Sequence, residues 1–100
     1  MMKKYKSSEK RVDLYDIGDG MTLMNIVNRN AEGKIDSIYM YIGYTDEDSF
    51  LRVGIAEDLA APGSLFNYAS FMRGVHERML LYKAIFKSNL TGGQVRVTQN

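Results

Sequence analysis

Leu65, Tyr68, Met72, Val75, Met79, Tyr82 and Phe86 recur along the chain with alternating steps of three and four. That spacing places all of them on one face of an α-helix, and at about 1.5 Å of rise per residue the stripe is roughly 33 Å long. A helix with one apolar face must lay that face on another layer. The spacing therefore predicts one long C-terminal helix, starting from Ser64 as N-cap and ending near Ser88 or Asn89, that covers whatever residues 10–63 build. Pro62-Gly63 just before Ser64 and Gly92-Gly93 beyond Asn89 are consistent with those limits.

The preceding residues carry a period of two, broken by turn residues. Val12 and Leu14 alternate with charges before Asp16-Ile17-Gly18-Asp19-Gly20. A second strand is expected over 21–28, and Asn30-Ala31-Glu32-Gly33 reads as a hairpin loop with glycine at the left-handed position. Over 35–44 the alternation places Ile38, Met40 and Ile42 on one face and Tyr39 and Tyr41 on the other. Thr45-Asp46-Glu47-Asp48-Ser49 is an acidic turn. Over 50–56, Leu51, Val53 and Ile55 are expected to face the core and Phe50 and Arg52 to face away. Links this short join antiparallel neighbours, since parallel strands need long crossovers. The fold class is therefore α+β: a four-stranded antiparallel meander packed by one long helix, with Val95-Arg96-Val97 as a short final strand. Residues 1–9 read as a flexible basic tail and residues 10–100 as a single domain. The order of four strands then a long helix resembles that of single-strand-binding coactivator domains, although no individual residue carries the likeness.

Several chemistries lack their residues. The 100-residue chain contains no cysteine, which excludes a disulfide framework, thiolate catalysis and sulfur-ligated zinc. His76 is the only histidine and lies at the edge of the helical stripe, where a structural role is expected. A general base needs a nucleophile or acidic partner within hydrogen-bond reach, and the sequence places neither Asp58 nor Ser64 near it. The two acidic turns lack the alternating ligands and closing glutamate of a calcium loop, and Gly18 and Gly20 precede a strand where a phosphate loop would precede a helix. No catalytic residue, metal or cofactor is expected. The polar run from Met1 through Arg11 contains no apolar leader, so a soluble, cytoplasmic protein is expected, with no membrane association.

Charge is segregated along the chain. Through Arg11 five basic residues oppose one acid, over 12–63 three basic residues oppose ten acids, and from Ser64 five oppose one. The acidic central segment is suited to a basic partner surface.

Two surfaces stand out as candidates. On the helix, Leu80 and Ala84 widen the stripe while Leu81 and Ile85 lie away from it, and exposure of the latter two would forgo about 1.5–3 kcal/mol each. Leu80, Leu81, Ala84 and Ile85 are therefore expected to form a homodimer seam. On the sheet, Tyr39, Tyr41, Phe50 and Arg52 share the outward face, beside the acidic turn Asp46-Glu47-Asp48. Aromatic anchors next to charge fit a protein-docking surface. Chains that are compact, motif-free and lack cysteine are common among viral and mobile-element inhibitors of host machinery. The expected function is accordingly a small non-catalytic protein-binding module, an inhibitor or adaptor. The alternative is a single-stranded DNA or RNA binder that stacks bases on Tyr39, Tyr41 and Phe50, with Arg52 and the basic tail on phosphate. The acidity of the segment opposes it.

Overall fold

Turn residues divide the first half of the chain into four strands. A computed structural model describes residues 9–90. It contains β1 (Glu9–Gly18), β2 (Met21–Arg29), β3 (Ile35–Tyr44) and β4 (Phe50–Glu57), then α1 (Tyr68–Glu77) and α2 (Met79–Leu90). The strands form one antiparallel sheet in the order β1-β2-β3-β4, the expected meander. The hairpin between β2 and β3 closes as its sequence requires. Gly33 takes a φ of +85°, and the Asn30 side-chain oxygen accepts from the backbone N–H groups of Glu32 and Lys34. The tail before Glu9 and the expected strand at Val95-Arg96-Val97 lie outside the described residues.

The sheet's inner face makes the core. Met21, Leu23 and Val27 of β2, Ile38, Met40 and Ile42 of β3 and Val53 of β4 are buried there together with Val75, Tyr82 and Phe86 from the helices. Complete burial of such a side chain contributes roughly 1.5–3 kcal/mol. The Phe86 ring meets Tyr44 edge-on, with centroids 5.3 Å apart. The stripe from Tyr68 to Phe86 thus does cover the sheet.

Three local expectations are corrected. The helical segment is two helices, separated at Arg78. Its backbone N–H is shared between the carbonyls of Gly74 (3.2 Å) and Val75 (3.0 Å), a tightened turn that interrupts the regular ladder one turn after a glycine. The N-cap is Asn67, whose side-chain oxygen accepts from the Ser70 N–H at 2.9 Å. Ser64 instead accepts from the Phe66 N–H within the preceding loop. Leu65 consequently precedes the helix and is 95 % exposed. Finally, Met40 pairs with Gly54 but Tyr41 with Arg52, leaving Val53 as the extra residue of a bulge. Side chains on either side of a bulge change phase, so Val53 and Leu51 face the core while Ile55, opposite Tyr39, lies on the outer face.

Candidate functional site

Residues paired directly across antiparallel strands share a face, so the register assembles the outer surface row by row. Lys10, Asn28, Ser37 and Glu57 form a row at one end. Val12, Ile26, Tyr39 and Ile55 form the next, followed by Leu14, Met24, Tyr41 and Arg52, and then by Asp16, Thr22, Gly43 and Phe50. The two middle rows make an apolar band across all four strands, interrupted only by Arg52, with a polar row at one end and a mixed row, Asp16 and Thr22 beside Gly43 and Phe50, at the other. The helices pack on the opposite side. Val12 and Leu14, on the edge strand, are 51 % and 63 % exposed.

Tyr39, Tyr41, Phe50 and Arg52 are therefore brought together as expected. The Tyr39 hydroxyl donates to a Glu57 carboxylate oxygen at 3.0 Å, and the Arg52 guanidinium lies 5.6 Å from the Tyr39 ring centroid. The hydrogen bond to Glu57, reinforced by that carboxylate's charge, raises the Tyr39 hydroxyl above its ordinary pKa. Phe50 folds its ring over Gly43, where a Cβ would lie only 2.8 Å from the ring. The aromatic side chain fills the place of the missing one.

The acidic turn adjoins this face. Asp46, Glu47 and Asp48 are exposed between β3 and β4, beyond the row that ends in Phe50. Their turn is tied to the turn between β1 and β2: the Thr45 N–H donates to the Gly20 carbonyl at 2.8 Å, and the Thr22 and Thr45 hydroxyls are 2.7 Å apart. Asp19, in that second turn, pairs with Lys83 at 3.1 Å. The hydrogen bond and charge of Lys83 hold its carboxyl below the ordinary value. Among the described residues no set of three acidic or histidine side chains is arranged to hold a metal ion.

The helical seam divides. Leu80 and Leu81 are 83 % and 55 % exposed, and Ala84 is exposed with them, but Ile85 is half-buried against the core. On α2 Ile85 lies within one turn of both Tyr82 and Phe86, close enough to their side of the helix to share the sheet contact.

His76 is exposed on α1, beside a groove of about 470 Å³ between α1 and β1. Tyr15, Ile17 and Leu23 line the groove from the sheet and Met72, Val75 and Met79 from the helices. Among the described residues His76 has no hydrogen-bonded acid or hydroxyl.

The sequence reading missed Val12, Leu14, Met24, Ile26 and Ile55 as parts of the outer face. The signal was present in Leu23-Met24-Asn25-Ile26-Val27, where apolar residues occupy both phases of one strand, as in a sheet covered on both sides. Among the described residues no helix is long and apolar enough to cross a membrane. Comparison with protein-family models, curated proteins and solved structures finds no match to this chain.

Proposed function

We propose that this chain is a small non-catalytic protein-binding module, an inhibitor or adaptor, whose outer sheet face is its docking surface. One observation carries the reading: seven of the eight positions in the two middle rows of that face are apolar, and the helices cover the other side. An apolar centre with a polar row at one end and Asp16, Thr22 and the acidic turn toward the other has the anatomy of a protein interface. Tyr39 and Tyr41 supply rigid anchors, and the Asp46-Glu47-Asp48 turn at the rim suits a basic partner surface.

The nucleic-acid alternative is less well supported by the same geometry. Arg52 is engaged with the Tyr39 ring and Glu57 holds the Tyr39 hydroxyl, so a phosphate approaching this platform meets a carboxylate. The test is capture from native lysate by tagged wild type and by the Tyr39→Ala/Tyr41→Ala double variant, each with and without nuclease. The expected result is a discrete protein partner that survives nuclease and is lost in the variant, with the melting temperature kept within a few degrees. Recovery that disappears with nuclease and falls steeply as salt rises would transfer the face to nucleic acid.

A further inference from the structure

Among the described residues β1 pairs with β2 alone, so one side of its backbone offers free N–H and C=O groups. Such an edge is ordinarily closed by charge, by a bulge or by a covering element. Lys10 and Arg11 guard its start, and a bulge at Ile17, between the pairs Asp16–Thr22 and Gly18–Met21, guards its end. From Val12 to Asp16 the ladder is regular on the β2 side and open on the other. The charge in the middle of that stretch, Asp13, is turned onto α1 by its bond to Tyr68.

The groove between α1 and β1 runs beside this open stretch. α2 lies over β3 and β4, which leaves the inner face uncovered along β1. There Tyr15, Ile17 and Leu23 make an apolar floor, with Met72 and Met79 as the wall. Asp16 borders the groove although the register puts its side chain in an outer row, so the groove opens onto the strand edge itself.

We propose that an extended segment of a partner protein adds to the sheet at β1, places alternate apolar side chains in this groove, and sets an acidic side chain against Arg73. The site lies beyond the docking surface proposed for the outer face, and only Val12 and Leu14 border both.

An added strand lies about 4.8 Å from β1, and its alternate side chains, about 6.6 Å apart, project toward α1. The groove, at about 470 Å³, has room for two of them. Those facing the other way lie beside Val12 and Leu14, which are 51 % and 63 % exposed because they have a strand on one side only. Above the added strand stand Ala69, Arg73 and His76, exposed and one turn apart on the flank of α1. Arg73 donates to the Ser70 hydroxyl at 3.1 Å, and among the described residues no carboxylate pairs with it, Glu77 one turn along included. The position that overhangs the groove is thus an uncompensated cation, and its complement is an acid. In strand addition the main-chain bonds supply affinity, and the pockets read alternate side chains.

The test is selection of short random peptides displayed on phage against the full chain, followed by fluorescence polarisation with the selected peptides. The expected selection has two apolar residues separated by one, and an acid two positions from them on the same face. Methylating the peptide's backbone nitrogens singly should abolish binding at alternate positions only, a readout that needs no variant of the protein. Ala69→Trp, which fills the groove from an exposed position, should remove binding with circular dichroism unchanged. Arg73→Glu should weaken it about tenfold, and a peptide with lysine in place of the acid should restore it. Absence of any selected peptide overturns the proposal, as does binding that tolerates methylation at every position. Apolar residues selected at helical spacing overturn it too. Tyr39→Ala/Tyr41→Ala should bind these peptides as wild type does. Loss there with Ala69→Trp unaffected moves the peptide to the outer face, which rejects the β1 site and leaves the outer docking surface standing.

Discussion

The hydroxyl of Tyr15 on β1 lies 2.8 Å from the hydroxyl of Tyr68, the first residue of α1. Tyr68 donates its one proton to an Asp13 carboxylate oxygen at 3.0 Å, so Tyr15 is the donor in the tyrosine pair. The Asn25 side-chain amide donates to the same Tyr68 oxygen at 3.3 Å, and Arg11 binds Asp13 at 3.0 Å while lying 5.8 Å from the Tyr68 ring centroid. The two helices are thus attached differently. α2 is held by the apolar contacts of Tyr82 and Phe86, whereas the start of α1 is held on β1 and β2 by a polar network centred on one phenol.

Tyr68→Phe should therefore cost more than its exposure implies. It removes the acceptor of the Tyr15 and Asn25 donors and leaves the buried Asn25 amide short of a partner. A loss of about 1–3 kcal/mol is expected, read as a lower urea midpoint with unchanged slope. A change within about 0.5 kcal/mol, the range of ordinary surface substitutions, would mean that the network does not hold the helix.

The same phenol should make stability fall at alkaline pH. Burial first, and then the hydrogen bond with Tyr15, raise the Tyr68 pKa well above its ordinary value of 10.0. The unfolded chain therefore ionises this group at a pH where the folded chain does not. The stabilisation is complete below about pH 10 and is lost progressively as pH rises above it. The hydrogen bond of Tyr39 to Glu57 acts in the same direction. Urea midpoints measured between about pH 9 and 11.5 should decline, less steeply in Tyr68→Phe and least in Tyr68→Phe/Tyr39→Phe. An equal decline in all three proteins would assign the effect to other groups.

Where the pattern is repetitive and local, the sequence was readable. Alternation over Ile38-Tyr39-Met40-Tyr41-Ile42 divides the sheet's two faces, and glycine in the Asn30–Gly33 turn marks the hairpin. Departures came from single residues that change the phase of a pattern. The bulge at Val53 moves Ile55 to the outer face, and strict alternation has no means of registering one extra residue. Arg78 divides the helix although the apolar stripe runs through it, because the interruption lies in the backbone bonding and leaves the stripe's spacing intact. At the start of the helix two good capping residues compete, and the chain uses Asn67 for the cap and Ser64 for the loop. The outer face was half legible: its tyrosines were found, but its breadth depends on the pairing of all four strands.

Asn25 itself offers a substitution that should not destabilise. Its side chain is 0 % exposed, its amide nitrogen donates to Tyr68 and to the Met72 sulfur at 3.2 Å, and among the described residues its carbonyl oxygen has no partner. A buried acceptor without a donor costs about 1–3 kcal/mol, which partly cancels what the amide contributes. Asn25→Leu, which has the same branching at Cγ, should be neutral or stabilising by about 1 kcal/mol. Asn25→Asp should be destabilising, because its carboxylate would join Asp13 around a single phenol. Thermal melts of the two variants should bracket wild type, and an Asn25→Leu protein that melts several degrees lower would mean that the amide positions α1.

Two strand glycines should respond differently to alanine although each lacks room for a Cβ. At Gly43 the added carbon would lie 2.5 Å from the Ser49 carbonyl oxygen and 2.8 Å from the Phe50 ring. The oxygen belongs to the backbone entering β4, and the ring rests on the glycine, so relief requires moving both the strand end and the aromatic cover. At Gly54 the close neighbour is the terminal methyl of Met40, also at 2.5 Å, and a methionine chain can rotate away within the core. Gly43→Ala should therefore cost about 2–3 kcal/mol and Gly54→Ala about 1 kcal/mol. The order of the two melting temperatures is the measurement. Gly54→Ala melting at or below Gly43→Ala would show that Met40 is locked by its neighbours and that Phe50 yields more readily than its packing over Gly43 implies.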